Sequence, residues 1–293
     1  MITALDHVAL VVRDLDAAID GYTRMLGVAP NWIGRGGGVR QAWFQFPNMA
    51  LDVIAPEGEG AFADGMRAHL DARGEGQWAV AFTAENIEAF ATLLTRRGLP
   101  TTTPAPVSTT ADDGRTRTWL GANISAKSTG GLQYLLMAPP TDGAWPLSPP
   151  TGPGPIAKLD HVVVTSGNVD RALGVYGAKL GLDLRLDREN PQWNARQLFF
   201  RCGDAVFEMA AKVGEPDLEA LSKPDRWGGL AWRVTDPEAA QARIAAAGFN
   251  VSEVRTGRKP GTKVFTVRDA PAGVPTIMMS AEPRLETAPE MQS

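Results

Sequence analysis

Two histidines are the residues with which this chain of 293 amino acids could do chemistry. His7 lies in the run LDHV, and His161 lies in a second LDHV that opens the other half of the sequence. An imidazole titrates near neutral pH, so it can accept a proton, deliver one or bind a metal ion. A second group is cationic: Arg185, Arg188, Arg196 and Arg201 surround Trp193, and Arg255, Arg258, Lys259 and Lys263 follow near the end. Such residues can hold a carboxylate or a CoA phosphate by charge-assisted hydrogen bonds, although their usual place is a solvated surface. Arg196 is the first choice among them, because Leu198 and Phe200 share its face of a strand. Trp43, Trp78, Trp119, Trp193, Trp227 and Trp232 could line an aromatic pocket or fill a core. Cys202 has no neighbouring histidine or motif that would make it a nucleophile, and as the only cysteine it forms no internal disulfide. The stretch Gly34-Arg35-Gly36-Gly37-Gly38 lacks the Lys-Ser/Thr of a phosphate loop and reads as a hairpin loop over a cleft.

The elements that position the histidines are duplicated. Residues 5–28, LDHVALVVRDLDAAIDGYTRMLGV, match residues 159–182, LDHVVVTSGNVDRALGVYGAKLGL, without gaps at Leu5/Leu159, His7/His161, Asp16/Asp170, Tyr22/Tyr176 and Gly27/Gly181. In each copy an alternating strand leads to a helix that Asp14 or Asp16 can cap in the first copy and that glycine ends. Apolar runs at 39–46 and 49–55 read as strands and 61–72 as a linking helix. A strand at 77–83 and a helix at 86–97 then restart the order, followed by strands near 101–109, 115–124 and 131–138. The second half repeats it, with a helix at 169–180 and strands near 184–187, 195–201, 204–211 and 229–235. After these come a helix at 237–247 and strands near 250–256, 262–268 and 274–280. Each strand-helix-strand-strand-strand unit is too small for a good core alone, so units should pair. Pairing the first with the second and the third with the fourth is simplest, while exchange between halves or chains would bring His7 and His161 into one site. This gives an α+β chain with domains at 1–139 and 156–283, a Pro/Gly-rich linker at 140–155 and a loose tail at 284–293.

Composition limits the function. A net charge of −4 argues against a nucleic-acid surface, and 44% hydrophobic residues suffice for real cores. No apolar stretch reaches the length of a bilayer span and no signal peptide is evident, so the expectation is a cytoplasmic protein that does not bind membranes.

The segments LDHVALVV with DLDAAIDGYTRMLG, LDHVVV with VDRALGVYGAKLG, and STGGLQYLLMAP at 128–139 resemble the vicinal oxygen chelate superfamily. That superfamily includes glyoxalase I, methylmalonyl-CoA epimerase, extradiol dioxygenases and bleomycin resistance proteins. The resemblance implies four βαβββ units forming two domains of curved mixed sheet around a cleft. It also implies metal ligands at one place in each opening strand and one in each closing strand. His7 and His161 hold two of these places, and Asp52 and Glu208 hold their closing-strand partners. The other places fall on Ala79, on Leu135 with Gln133 two residues away, on Gly229, and on Ile277 or Met278.

Each half therefore keeps one histidine and one carboxylate. His161 with Glu208 is the stronger pair, either as ligands of one divalent metal or, without metal, as a general base with its partner. His7 with Asp52 is a second candidate site or a structural pair, and Arg196, Trp193, Trp232 and Gln133 are the expected substrate-binding residues. The implied activity is proton abstraction next to a carbonyl, an isomerase, epimerase or lyase reaction on a small molecule. The alternative is a metal-free binding protein of the bleomycin-resistance type, and a third reading keeps only one half catalytic. An extradiol dioxygenase is disfavoured because its His-His-Glu set is incomplete. A homodimer is compatible with all of these.

Overall fold

Four helices follow the opening strands, and each starts on a side-chain cap. Asp14 accepts from the Ala17 N–H, Asn86 from Ala89, Asn168 from Arg171 and Asp236 from Ala239. Each cap satisfies a backbone donor that the first helical turn leaves unpaired. Four such junctions are the structural counterpart of the four units expected from the sequence.

The structure is a computed structural model that describes residues 1–141, 145–213, 218–258 and 260–280. Residues 142–144 of the linker, Lys259 and the tail at 284–293 lie outside the described residues. The first half runs β1 (Ile2–Val11), α1 (Leu15–Leu26), β2 (Trp32–Gly36), β3 (Val39–Gln45), β4 (Ala50–Pro56), α2 (Ala61–Arg73), β5 (Gly76–Ala84), α3 (Ile87–Arg96), β6 (Ala105–Thr110), β7 (Thr116–Ile124) and β8 (Gln133–Met137). The second half runs β9 (Ile156–Thr165), α4 (Val169–Ala172) with a π-helical turn (Leu173–Lys179), β10 (Asp183–Asn190), β11 (Ala195–Cys202), β12 (Ala205–Lys212), α5 (Leu218–Ser222), β13 (Arg226–Val234), α6 (Pro237–Ala246), β14 (Arg255–Thr256), β15 (Lys263–Val267) and β16 (Thr276–Ser280). The helix expected at 169–180 changes to the wider π geometry where Gly174 and Gly177 weaken the α-helix.

The first half closes into a barrel of order β1-β4-β3-β2-β6-β7-β8-β5, and the second forms an open sheet of order β10-β11-β12-β9-β13-β16-β15-β14. The units pair first with second and third with fourth, through β1 against β5 and β9 against β13. Barrel closure explains a difference from the sequence reading. The Gly-rich stretch is not one loop: Gly34, Arg35 and Gly36 belong to β2, and only Gly37 and Gly38 make the left-handed turn. A Cβ on Gly36 would collide with the Ser108 carbonyl, so glycine allows β2 to reach β6.

Strand alternation divides each sheet. One face of both sheets joins the helices in a single apolar core that includes Val8, Leu10, Phe82, Tyr134, Val162, Tyr176 and Phe207. Tyr134 and Tyr176 come from different halves, and their hydroxyls share a buried hydrogen bond of 2.6 Å. Tyr176→Phe is expected to cost about 1–2 kcal/mol, because the Tyr134 hydroxyl stays buried without its partner. The double change to Phe should cost less than the two single changes together, read by urea unfolding. The other face of each sheet turns inward to a cleft. In the first half α2 fills part of it, with Ala63, Met66 and Leu70 packed on Ala9, Val11, Ile54 and Ala79.

Candidate functional site

The inner face of the second sheet assembles its polar residues from three adjacent strands. β12 runs parallel to β9 with Glu208 opposite Val163, and β11 pairs Phe199 with Glu208. This register puts His161, Glu208 and Gln197 on one side, while Val162, Phe207, Leu198 and Phe200 point into the core. His161 Nε2 lies 3.3 Å from Glu208 Oε2, and Gln197 Nε2 donates to Glu208 Oε1 at 2.5 Å.

Asp160 completes the set, by a backbone irregularity. Neighbouring residues of a strand normally face opposite sides. On β9, however, Leu159 pairs with Trp232 and His161 with Ala231, which leaves Asp160 as the extra residue of a β-bulge. The Asp160 carboxylate thus accepts a hydrogen bond from His161 Nδ1 at 2.8 Å and another from Arg233 Nε. Burial raises the Asp160 pKa, but these two partners outweigh it and hold the carboxyl below its ordinary range. With Nδ1–H committed to Asp160, His161 presents Nε2 to Glu208, able to accept or deliver a proton there. The first half repeats the device. Asp6 is passed over between Leu5/Phe82 and His7/Ala81, and its carboxylate meets His7 Nδ1 at 2.7 Å. Regular strand alternation would put Asp6 and Asp160 on the face opposite their histidines; the two bulges turn them to the same side.

Two guanidiniums reach the same cleft. Arg188 Nη2, on β10, donates to Gln197 Oε1 at 3.2 Å. Arg258, in the turn after β14, meets the same oxygen at 3.5 Å, although β10 and β14 are opposite edges of the sheet. Burial lowers the Arg258 pKa and the nearby Arg188 charge lowers it further, against the opposing pull of Glu208. Around them lie Val163 and Phe199, both partly buried, and the exposed side chains of Leu186 and Ile277, 44% and 36% accessible.

The other expected site residues lie elsewhere. Arg196 is on the core side of β11, where it forms a two-pronged ion pair with Asp187 across the strand pair. Its apolar neighbours Leu198 and Phe200 mark the core face and not the cleft. Trp232 is 1% exposed and packs on Phe46 of the first half, with ring centroids 5.0 Å apart. Gln133 lines a cavity of about 640 Å³ between the halves and donates to the Ile124 and Tyr134 carbonyls, far along the fold from His161. Trp78 and Trp227 line that same cavity, and Trp43 and Trp119 join Trp145 at a second one of about 460 Å³. The Trp193 side chain lies outside the described residues.

In the first barrel His7 and Asp52 are 5% and 4% exposed. His7 packs on the Trp43 ring, 5.0 Å between centroids. One oxygen of Asp52 is buried with no hydrogen-bond partner. Burial, together with the Asp6 charge, pushes the Asp52 carboxyl up to about 7 against the opposing effect of His7. Burial also lowers the His7 pKa, but the Asp6 hydrogen bond and the Asp6 and Asp52 charges raise it overall.

The donor sets do not fit a resident divalent ion. Among the described residues, no group of three or more His, Cys, Asp or Glu side chains is placed so that it could hold a metal ion. His161 and Glu208 face Gly229 and Ile277 on the paired strands, and His7 and Asp52 face Ala79 and Leu135. Two protein donors fall short of the three or four that zinc and iron sites take from a protein. Met278 is ruled out as an alternative, since it is fully buried in the core. At Gly229 a ligand side chain is sterically barred: φ is +122° and a Cβ would collide with the Pro275 carbonyl.

Fold and site together define a duplicated cleft protein, with a bulge-oriented histidine on the first strand of each half and a carboxylate on the strand beside it. Residues 6–117 and 158–275 each match a family model of the glyoxalase/bleomycin resistance protein/dioxygenase superfamily, and the chain belongs to that superfamily. A lactoylglutathione lyase of Salmonella typhimurium is 25% identical over 129 residues, which are 43% of this chain and 93% of the relative. A mutant of 4-hydroxymandelate synthase from Streptomyces coelicolor superposes with a TM-score of 0.67 at 17% identity, over 95% of this chain and 92% of that one. The Mn(II)-bound glyoxalase of Novosphingobium aromaticivorans gives 0.61 at 15% identity, over 95% of this chain and 82% of that one. At these identities the two structures share the fold. Among the described residues no helix is long and apolar enough to cross a membrane.

Proposed function

We propose that the second cleft binds a small oxygenated molecule and moves a proton at the carbon next to its carbonyl, with Glu208 as base and His161 as its partner. The observation that carries this is the unbroken chain Asp160–His161–Glu208–Gln197, in which every member is held by a hydrogen bond or close polar contact. Glu208 takes the proton as the C–H bond breaks, and the electron pair forms the enolate. Return of the proton to the other face gives epimerisation, return to another atom gives isomerisation, and loss of a neighbouring leaving group gives a lyase reaction. His161 Nε2 is close enough to exchange the proton with Glu208 directly. The catalytic activity of the lactoylglutathione lyase relative supports an enzyme. A metal-free binding protein is the second reading, favoured by the apolar or glycine residues at Ala79, Leu135, Gly229 and Ile277.

His161 and Glu208 keep 16% and 14% of their side chains exposed on an open sheet, whereas His7 and Asp52 are sealed in a barrel whose interior α2 partly fills. His161→Ala is therefore expected to slow hydrogen exchange with D2O at acidic carbons of a panel of ketones, oxo acids and thioesters by about tenfold or more. His7→Ala should leave exchange within about threefold of the parent once the protein is folded. Equal loss in both variants would refute the assignment to the second half.

A further inference from the structure

We infer that the cavity between the halves is a second ligand site, and that it takes a planar fused heterocycle with an N–H beside a C=O on its edge. The cavity holds about 640 Å³, within the range of about 300–1,000 Å³ usual for small-molecule sites. Neither His161 nor Glu208 lines it. Two equivalent β-bulges shape its wall. On β5, Gln77 pairs with Leu10 and Ala79 with Ala9, which leaves Trp78 as the extra residue. On β13, Trp227 pairs with Val164 and Gly229 with Val163, which leaves Gly228. Bulges re-aim side chains and are frequent beside binding sites. Leu10 and Val164 are equivalent residues of the two halves, so Gln77 and Trp227 hold equivalent places. Both line the cavity, as does Trp78.

Gln77 carries the inference. It is 8% exposed, and neither Nε2 nor Oε1 of its amide has a hydrogen-bond partner among the described residues. A buried amide without partners is costly, and folded proteins keep few of them. Because this amide makes no hydrogen bond, turning it toward the cavity breaks none. Its two ends then call for an acceptor and a donor side by side. A lactam edge supplies that pair in one plane. Trp78 and Trp227 are partly exposed and come from different halves, tied together where Trp227 Nε1 donates to the Trp78 carbonyl at 3.3 Å. Indole faces stack on flat heteroaromatic rings with little regard to ring identity. A cavity of about 150 Å³ suffices for benzene, so this one has room for two or three fused rings. His69 on α2 adds a neutral group to the wall, because burial and the Arg73 charge lower its pKa. The charged residues of the lining do not select the ligand. Asp225 is paired with Arg171 and Lys223 with Glu219, the Glu75 carboxylate accepts from the Arg13 N–H, and Arg73 and Arg226 are exposed.

The test follows ligand fluorescence on the full chain. Lumiflavin, a three-ring lactam, is expected to bind and to be quenched by the indoles. 3-Methyllumiflavin has the same rings with the lactam N–H blocked, and should bind about tenfold or more weakly. Gln77→Leu should weaken lumiflavin binding by about tenfold or more and leave 3-methyllumiflavin within about threefold. Without ligand the same variant should melt at the same temperature as the parent or higher, because an apolar group of similar size replaces an unpaired buried amide. Trp78→Leu should weaken both ligands alike, since stacking does not depend on the ring edge. Lumazine, a two-ring lactam, competes for the same amide, and the tighter of lumazine and lumiflavin separates a pteridine-sized ligand from a flavin-sized one. Hydrogen exchange by the second cleft should not change in Gln77→Leu. Absence of binding by both lactams, or equal affinity for lumiflavin and its 3-methyl form, would overturn the proposal. So would a lower melting temperature of Gln77→Leu with unchanged lumiflavin binding, which would show that the amide serves the fold.

Discussion

Glu208→Gln is expected to lower turnover by about 10²- to 10⁴-fold, the usual contribution of a positioned general base, while ligand affinity changes less than about tenfold. In activation energy this is roughly 3–5 kcal/mol. The substitution suits the site because it keeps the volume of the side chain between His161 and Gln197 and removes only its ability to take a proton. The same variant separates the two readings of the cleft. A protein that only sequesters its ligand has no turnover to lose, and its affinity would barely move. His161→Gln should cost less than Glu208→Gln, because Glu208 still abstracts the proton when its partner is gone. The double variant should be no slower than Glu208→Gln alone, since the pair works as a unit. Additive losses would show that the two residues act on separate steps.

How far the sequence reaches can be judged from single residues. The fold was legible because the duplication places equivalent residues on equivalent elements: the LDHV strands became β1 and β9, and the caps Asp14 and Asn168 stand at the same junction. The pair His161 and Glu208 was legible for the same reason, being tied to two strands whose alternation was readable. The missed parts depend on irregular geometry or on distance. A β-bulge has no signature in the residues around Asp160, so alternation alone places its side chain on the wrong face. Gln197 was legible in principle, since strict alternation puts it opposite Leu198 and Phe200; the same alternation excludes Arg196, whose apolar neighbours were taken for a cleft wall. The sequence named Arg258 among its cationic candidates but did not join it to Gln197, because only the folded sheet brings the turn after β14 across to β11. Trp232 shows the limit of residue type as a guide: indole suits a ligand pocket and an interdomain core equally well, and here it fills the core.

Asp52→Asn is expected to stabilise the protein at pH 8 by up to about 4 kcal/mol, an effect as large as the catalytic one and of opposite meaning. The Asp52 carboxyl is pushed from 3.8 up to about 7 in the folded chain, chiefly by burial. Each pKa unit is worth about 1.4 kcal/mol between the two protonation states. Because the folded pKa lies above the unfolded one, the folded state holds a proton that the unfolded state has already released. Stability contributed by this group therefore falls as pH rises from about 4 to about 7, and stays low above that. His7 acts in the same direction at higher pH. Its pKa is raised in the folded protein, so its contribution is complete below the unfolded value of 6.5 and is lost as pH rises through the folded one. Urea unfolding between pH 4 and 8 should thus show a falling stability in the parent and a flatter profile in Asp52→Asn. A steeper profile, or destabilisation at pH 8, would mean that Asp52 is ionised and paired inside the barrel. The expected outcome separates the halves physically. The first barrel keeps its histidine and carboxylate sealed at a cost in stability, whereas the second leaves the same pair partly exposed on an open sheet.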